Sequence, residues 1–564
     1  MKMAMFDASS KGVQFLGLRD RVARFARDEE GSLIILSLQI FLIMMITTGI
    51  AIDIVRQEER RTLIQATLDR AMLAAADLNQ SLDSAEVVKD YFAKSGLSHI
   101  KVVPIVKEGD YKEWRSVEAK VMDTMPTMFG PLVGITKLYS PAQSRATESI
   151  GNVEISMVLD ISGSMGDSVR LDDGSRTTRI ALLRDAAEDF VDTMFTTVQP
   201  PEAAPGKLSI SVVPYNQQVV LGSNLASVYN LSTDHTSRTC VDLHTLSFGD
   251  LGISATAELQ RTMYGDSFDY SGNGWSVVKN TNINNCQENS YAEVLAFANN
   301  KTTITNKVRA LQAGGDTAID FGAKWGLALL DPSARPALDK MIDKGWASDD
   351  LDGRPFNYPA TNPSDTEVDS MKVLVLMTDG QNTRSYSTKP AYRKGNTGLV
   401  SSKSATAIGS SSDDQYLYYY DPDRSRPYYS FYSSSWKYAY QVPSKLYDIK
   451  YETLWGSKNF TLQHAIWNYL GKPENNRTAL YGQMALQSEF GDKDTDLEKI
   501  CTVAKKPEHK IFIFTIAVDA PTEGQNILKA CATSPSYYFN VKSADMATAF
   551  ATIASSINAL RLTN

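Results

Sequence analysis

The longest pattern along this chain is a run with no charge, from Gly31 to Ile52. At ~1.5 Å rise per residue it matches the ~30 Å hydrocarbon core of a bilayer and predicts a transmembrane helix over 31–55. The run exceeds the apolar core of a cleaved signal peptide and leads into Asp53-Ile-Val-Arg56 with no small-x-small site. Before it lies a short polar segment, 1–30, with Arg19, Arg21, Arg24 and Arg27 near its end. After it, Ile64, Leu68, Ala71, Ala75 and Leu78 share one helical face, a spacing that reads as core packing. Val117, Ala119 and Val121 alternate as in a strand, and Pro126, Gly130 and Pro131 bracket a short turn. Residues 56–150 thus read as a helical stalk and a small α+β segment without chemistry of their own.

Past residue 150 the pattern changes. Ile155, Met157, Val158 and Leu159 are too continuously apolar for a sheet with one wet face, so they predict a buried strand. Leu208 to Tyr215 alternates as a strand, and Met371 to Met377 and Ile511 to Val518 are further buried runs. Arg179 to Phe195 has helical spacing, and a closing helix carries Met546, Phe550, Ile553, Ile557 and Leu560 on one side. Two stretches break this regularity and read as insertions, about 222–300 and about 381–485. The first is rich in Ser, Asn, Thr and Gly. The second holds Tyr416, Tyr418, Tyr419, Tyr420, Tyr428, Tyr429, Tyr432, Tyr438 and Tyr440 with Phe431 and Trp436. Such density fits a recognition surface or a loop packing its own aromatics as a small core, and the sequence does not choose between them.

Composition narrows the function class. A net charge of -8 over 564 residues, with no basic stretch interleaved with aromatics, argues against nucleic acid as a partner. The five histidines form no His-Glu-x-x-His, and neither a Gly-x-Ser-x-Gly elbow nor a phosphate-binding Gly-x-x-x-x-Gly-Lys loop occurs. Asp492, Asp494 and Asp496 lack the Gly and terminal Glu of a calcium loop and read as a solvated helix start. The chemistry that remains is binding, not catalysis. Four cysteines without Cys-x-x-Cys spacing speak for disulfides in an exported domain and against structural zinc. Three pairings are open, and locality favours Cys240–Cys286 and Cys501–Cys531. Arginines flank both ends of the uncharged run, so cysteine usage is what favours an exported C-terminal part.

One constellation carries chemistry. The first buried strand ends in Asp160-Ile-Ser162-Gly-Ser164, with a carboxylate and two hydroxyls at every second position. A loop at the carboxyl end of a parallel strand can turn all three inward as hard oxygen ligands for a small divalent cation. Gly314-Gly-Asp-Thr317 adds a hydroxyl in a glycine loop that opens a helix. Met371-Lys-Val-Leu-Val-Leu-Met-Thr378-Asp379-Gly380 is a buried strand ending in a second carboxylate.

Order and context of these segments resemble the metal-ion-dependent adhesion site of the von Willebrand factor A (vWA) family, Asp-x-Ser-x-Ser, a distant Thr, then Thr-Asp-Gly. Carried over by position, Asp160, Ser162, Ser164, Thr317 and Asp379 are the metal residues. The resemblance implies an α/β, Rossmann-like doubly wound domain over 151–564 with its site at the carboxyl edge of the sheet. It also implies a cation, Mg²⁺ first with Mn²⁺ or Ca²⁺ as substitutes, whose open position an Asp or Glu of a protein partner completes. A second likeness lies in Glu30-Gly31, Ile52-Asp53-Ile-Val, Leu63-Ile-Gln65 through Ala71, and Met125-Pro-Thr-Met-Phe129-Gly130. These are similar to TadG-type proteins of bacterial Flp (tight adherence) pilus assembly. That likeness implies a cytoplasmic 1–30 and a single-pass inner-membrane anchor. It further implies a periplasmic or extracellular C-terminal domain and pilus assembly components as partners. A membrane-tethered adhesin unrelated to pili is the alternative.

Overall fold

The computed structural model describes residues 30–77, 80, 82–108, 114–149, 151–171, 173–201, 203–236, 238–263, 286–358, 370–383, 385–404, 411–456, 465–488 and 490–563. Apart from Glu30, the segment expected at 1–30 lies outside them, as does Leu78. By internal contacts the chain divides into two compact units, Met1–Ser149 and Ile150–Asn564.

In the first unit one helix, α1 (Glu30–Ala76), continues through the uncharged run and the amphipathic stretch after it. Among the described residues it is the one helix long and apolar enough to cross a membrane. Leu33 to Met45 leave their large apolar side chains exposed, whereas Ile64, Leu68, Ala71 and Ala75 are fully buried. The reason is the company each half keeps. The second half packs on α2 (Ser84–Lys94), capped by the Asp83 carboxylate, and on a three-stranded antiparallel sheet. Its strands are β1 (Ile105–Glu108), β2 (Trp114–Pro126) and β3 (Lys137–Ser149). Val117, Ala119 and Val121 alternate onto the helix side as their spacing predicts.

The second unit is built on a six-stranded sheet. Its strands are β4 (Asn152–Asp160), β5 (Leu208–Tyr215), β6 (Leu295–Ala298), β7 (Ser370–Thr378), β8 (Phe512–Val518) and β9 (Tyr538–Val541). They lie in the order β6-β5-β4-β7-β8-β9, all parallel except β6. The chain runs outward from β4 to one side and returns to start outward again at β7. That makes the carboxyl ends of β4 and β7 a topological switch point.

Both faces are covered. Val153, Ile155, Met157 and Leu159 face a core shared with α3 (Arg179–Thr197), α4 (Lys301–Ala310) and α8 (Met546–Thr563). Met546, Phe550, Ile553 and Ile557 of α8 are buried there. Val158 faces the other core, with α5 (Ile319–Ala328), α6 (Phe490–Ala504) and α7 (Thr522–Cys531). Disulfides Cys240–Cys286 and Cys501–Cys531 have Cα separations of 5.8 and 5.1 Å. The second joins α6 to α7.

Burial of β4 does not mean that it is wholly apolar. Glu154 is the register partner of Lys372 on β7, and the two form an ion pair, both nearly inaccessible. Arg354 Nη1 stands 3.2 Å from the same carboxylate, Phe356 N–H donates to it at 3.0 Å, and Lys372 Nζ donates to Leu330 O at 2.8 Å. Buried charge of this kind persists only with a full set of partners.

The expected insertions are resolved differently. Leu295–Ala298, inside the stretch 222–300, pairs with β5 as the antiparallel edge of the main sheet. Four residues with a register shift and a left-handed Phe297 (φ 51°) leave no periodicity to read. Much of what precedes it also belongs to the main core, through Tyr229, Leu231, Val241, Phe248 and Ile253. The stretch 381–485 does form its own core. Five short antiparallel strands between Asn396 and Lys450 close over Leu399, Leu417, Tyr429, Phe431, Ile449, Trp455, Tyr469 and Tyr481. Tyr432 and Tyr440 remain outside, 76% and 81% exposed.

Candidate metal centre

Asp160 is the last residue of β4 and Asp379 the first after β7, so the parallel pairing of these strands brings the carboxylates to one edge. Asp160 is fully buried. Its Oδ1 accepts the Ser162 N–H at 2.7 Å and its Oδ2 accepts the Thr378 hydroxyl at 2.5 Å. The Ser162 and Ser164 hydroxyls are 3.1 Å apart, and Ser164 Oγ donates to Asp379 Oδ1 at 2.6 Å. Asp160, Ser162, Ser164 and Asp379 thus form one hydrogen-bonded cluster. Thr317 makes none of these bonds and lies beside Gly380, the residue after Asp379. A β-carbon on Gly380 would lie 3.5 Å from Thr317 Oγ1, and the Thr317 carbonyl accepts the Thr383 N–H and hydroxyl.

The loop that carries Thr317 is held from three sides. Gly163 N–H donates to Gly315 O and Gly314 N–H to Ile161 O, each at 2.8 Å. Gln217 Oε1 accepts the Asp316 N–H at 2.9 Å, and Asn216 Nδ2 donates to Gly314 O at 3.0 Å. Gly315 has φ 93°, and a side chain there would overlap Gln217, so position 315 requires glycine. Asn382 Oδ1 accepts the first N–H of α5, from Ile319, while its Nδ2 donates to Asp494. The Asp492–Asp496 stretch is therefore not merely solvated. Lys493 in it is buried, 2.9 Å from Asp320 and over the Phe321 ring.

Electrostatics separates the two carboxylates. Burial, and then the neighbouring charge of Asp379, push Asp160 up to about 7, against hydrogen bonds from Thr378 and Ser162 that lower it. Burial raises Asp379 too, but Ser164 and Arg179 work against it. Arg179, the first residue of α3, donates from Nη1 to Asp379 Oδ2 at 2.8 Å and reaches the Ser164 carbonyl at 3.3 Å. Among the described residues, no basic side chain pairs with Asp160.

Arg179, Asn216 and Gln217 border the candidate site and were not among the residues expected from sequence, and Thr378, noted there only as part of Thr-Asp-Gly, binds Asp160. An Asn-Gln-Gln run directly after a buried strand was the available signal for Asn216 and Gln217. Nothing local marks Arg179, which reads as an ordinary helix start. The arrangement offers two carboxylates and neutral hydroxyls in a buried recess, a donor set that suits a hard divalent cation. Among the described residues, no three or more His, Cys, Asp or Glu side chains come together as a metal-ion group, at this edge or elsewhere.

No family model matches this sequence, and no curated protein matches it. Among solved structures it is similar to the vWF domain of the type V pili tip protein Mfa5 from Porphyromonas gingivalis. That match has 15% identity and a TM-score of 0.27, covering 72% of this chain and 96% of that one. The pilus adhesin SpaC from Lactobacillus rhamnosus GG matches at 10% identity and a TM-score of 0.29, covering 82% of this chain and 34% of that one. The PilB minor pilin from Streptococcus sanguinis matches at 11% identity and a TM-score of 0.28, covering 81% and 78%. Scores this low describe partial overlap of elements, and the functional reading of this chain rests on its own residues.

Proposed function

We propose that this protein is a single-pass bacterial inner-membrane protein whose second unit, exported, binds a protein partner through a divalent cation in Flp-type pilus assembly or anchoring. The observation that carries the metal reading is Asp160. It is a fully buried carboxylate bonded only to neutral donors, in one cluster with a second carboxylate at the switch point of a doubly wound sheet. A buried carboxylate without a charged partner, as Asp160 is among the described residues, is costly, and a small cation would remove the cost. Asp160, Ser162, Ser164, Thr317 and Asp379 would hold it, Mg²⁺ first by size and ligand type. When bound, the cation supplies an open coordination position that a partner's Asp or Glu can fill. Arg179 must then give up part of its hold on Asp379. Pilus components as the partner rest on the likeness of 30–134 to TadG-type proteins, and the anchor rests on the first half of α1.

The test is capture of partners from solubilised membranes by the full-length chain in Mg²⁺ and in EDTA, with Asp379→Ala alongside. A partner retained in Mg²⁺ and lost in both EDTA and the variant supports the reading. A partner retained equally in all three rejects metal-dependent binding.

A further inference from the structure

Asp53 lies in α1 at the end of the uncharged run and is 2% exposed. Its oxygens accept three consecutive backbone N–H groups from the tip of the β2–β3 hairpin, Met128 at 2.9 Å, Phe129 at 2.8 Å and Gly130 at 2.9 Å. One turn earlier, Gly49 leaves room for the Phe129 ring, which a β-carbon there would overlap. The tip is therefore fixed against α1 at residues 49–53.

The tip also satisfies most of its remaining backbone internally. Ile135 N–H donates to Gly130 O at 2.9 Å, Leu132 N–H to Phe129 O at 3.0 Å and Gly134 N–H to Pro131 O at 3.2 Å, while Pro131 has no N–H to satisfy. From Thr124 to Thr136 there is no charged residue. Met128, Leu132, Val133 and Ile135 are nevertheless exposed, by 67%, 62%, 46% and 45%. Paired amides suit a loop in either setting, but a loop in water has no need of an uncharged apolar tip. A loop entering a layer without water needs that tip together with satisfied amides, and this one has both.

Position along α1 names the layer. At ~1.5 Å per residue a ~30 Å slab that begins near Leu33 ends near Ile52, beside the tip. The apolar side chains of α1 from Leu33 to Met45 are exposed on that same helix. Arg56 and Arg61 follow, as groups that meet lipid headgroups do, while Arg60 is held by Asp123.

We propose that residues 128–135 seat in the boundary between lipid headgroups and acyl chains. They would give the anchor a second, shallow membrane contact that fixes its tilt and rotation. This rests on α1 spanning a bilayer, and the test separates the two. The full-length chain is placed in nanodiscs of phosphatidylcholine and phosphatidylglycerol, with one environment-sensitive NBD label at Leu132→Cys, Lys120→Cys or Ile40→Cys. The native cysteines are all in disulfides, so only the added thiol reacts.

The Leu132 probe should be quenched several-fold more by lipid spin-labelled near its carbonyl than by aqueous iodide, and the Lys120 probe the reverse. A Leu132 probe that behaves like Lys120 places the tip in water and overturns the proposal. One shielded from both quenchers shows a protein covering the tip and overturns it equally. An Ile40 probe untouched by lipid spin-labelled deep in its chains defeats the anchor reading itself.

Discussion

The Ser164 hydroxyl donates to Asp379 at 2.6 Å across 215 residues of sequence. The bond exists because β4 and β7 are neighbours in the sheet, and it ties the loop after one strand to the residue after the other. With Arg179 on its other oxygen, the Asp379 carboxylate is held at the buried carboxyl edge of the sheet and not in solvent. The expected behaviour of the site follows from that geometry.

Asp160→Ala should abolish most metal affinity without opening a large cavity, since the carboxylate points into the site and not into the core. One remaining carboxylate, Asp379, shared with Arg179, and neutral hydroxyls hold Mg²⁺ poorly. Thermal melting of wild type should shift upward with Mg²⁺ relative to EDTA, and the variant should melt alike in both. If Asp160 only caps its turn, the loss is about 0.5–2 kcal/mol with or without metal, and both proteins shift equally with Mg²⁺.

Arg179→Ala removes the guanidinium that competes for Asp379 and should tighten Mg²⁺ binding by about tenfold or more. The same change should lower the stability of the metal-free protein, because Asp379 then loses its cationic partner Arg179. Calorimetric titration of both proteins checks this. Unchanged or weaker Mg²⁺ binding would mean that Arg179 supports the site instead of competing for it.

Without metal, the site should make stability fall as pH rises. The folded-state pKa of Asp160, about 7, lies above its ordinary value of 3.8. Its contribution is therefore complete below about 4 and lost as pH rises through about 7, on the order of 1–4 kcal/mol in all. Mg²⁺ affinity should run the opposite way and rise through the same window as the proton leaves. Melting in EDTA between about pH 5 and pH 8 should show the fall in wild type and a flatter profile in Asp160→Asn. Identical profiles would place the carboxylate in a solvated setting.

Lys372→Met leaves Glu154 buried with Arg354 as its remaining cation, and should cost about 2–4 kcal/mol in equilibrium denaturation. The pair lies away from the carboxyl edge of the sheet, so Mg²⁺ affinity should not change. A loss below about 0.5 kcal/mol would show that Arg354 alone compensates the carboxylate.

Sequence alone determined what is local. The uncharged run, the amphipathic face of Ile64, Leu68, Ala71 and Ala75, and the apolar strands β4, β7 and β8 were legible because burial on one or both faces imposes a period on the residues themselves. Asp160, Ser162, Ser164, Thr317 and Asp379 could be proposed together because each sits at a fixed offset from such an element. Where an element is four residues long, as β6 is, no period has room to appear. Tertiary structure decided who meets whom. Only the strand order makes Glu154 face Lys372, sets Arg179 against Asp379, and divides the tyrosines of 381–485 between an inner core and an exposed rim. Only the fold of the first unit lets Asp53 collect three amides from a turn some 75 residues away. The physical reason is the same in each case. A periodic pattern records that a side chain is buried or that a loop turns, because those depend on its own neighbours in the chain. The partner that satisfies a buried charge or amide comes from wherever the fold brings the chain back, and the charge itself carries no mark of that address.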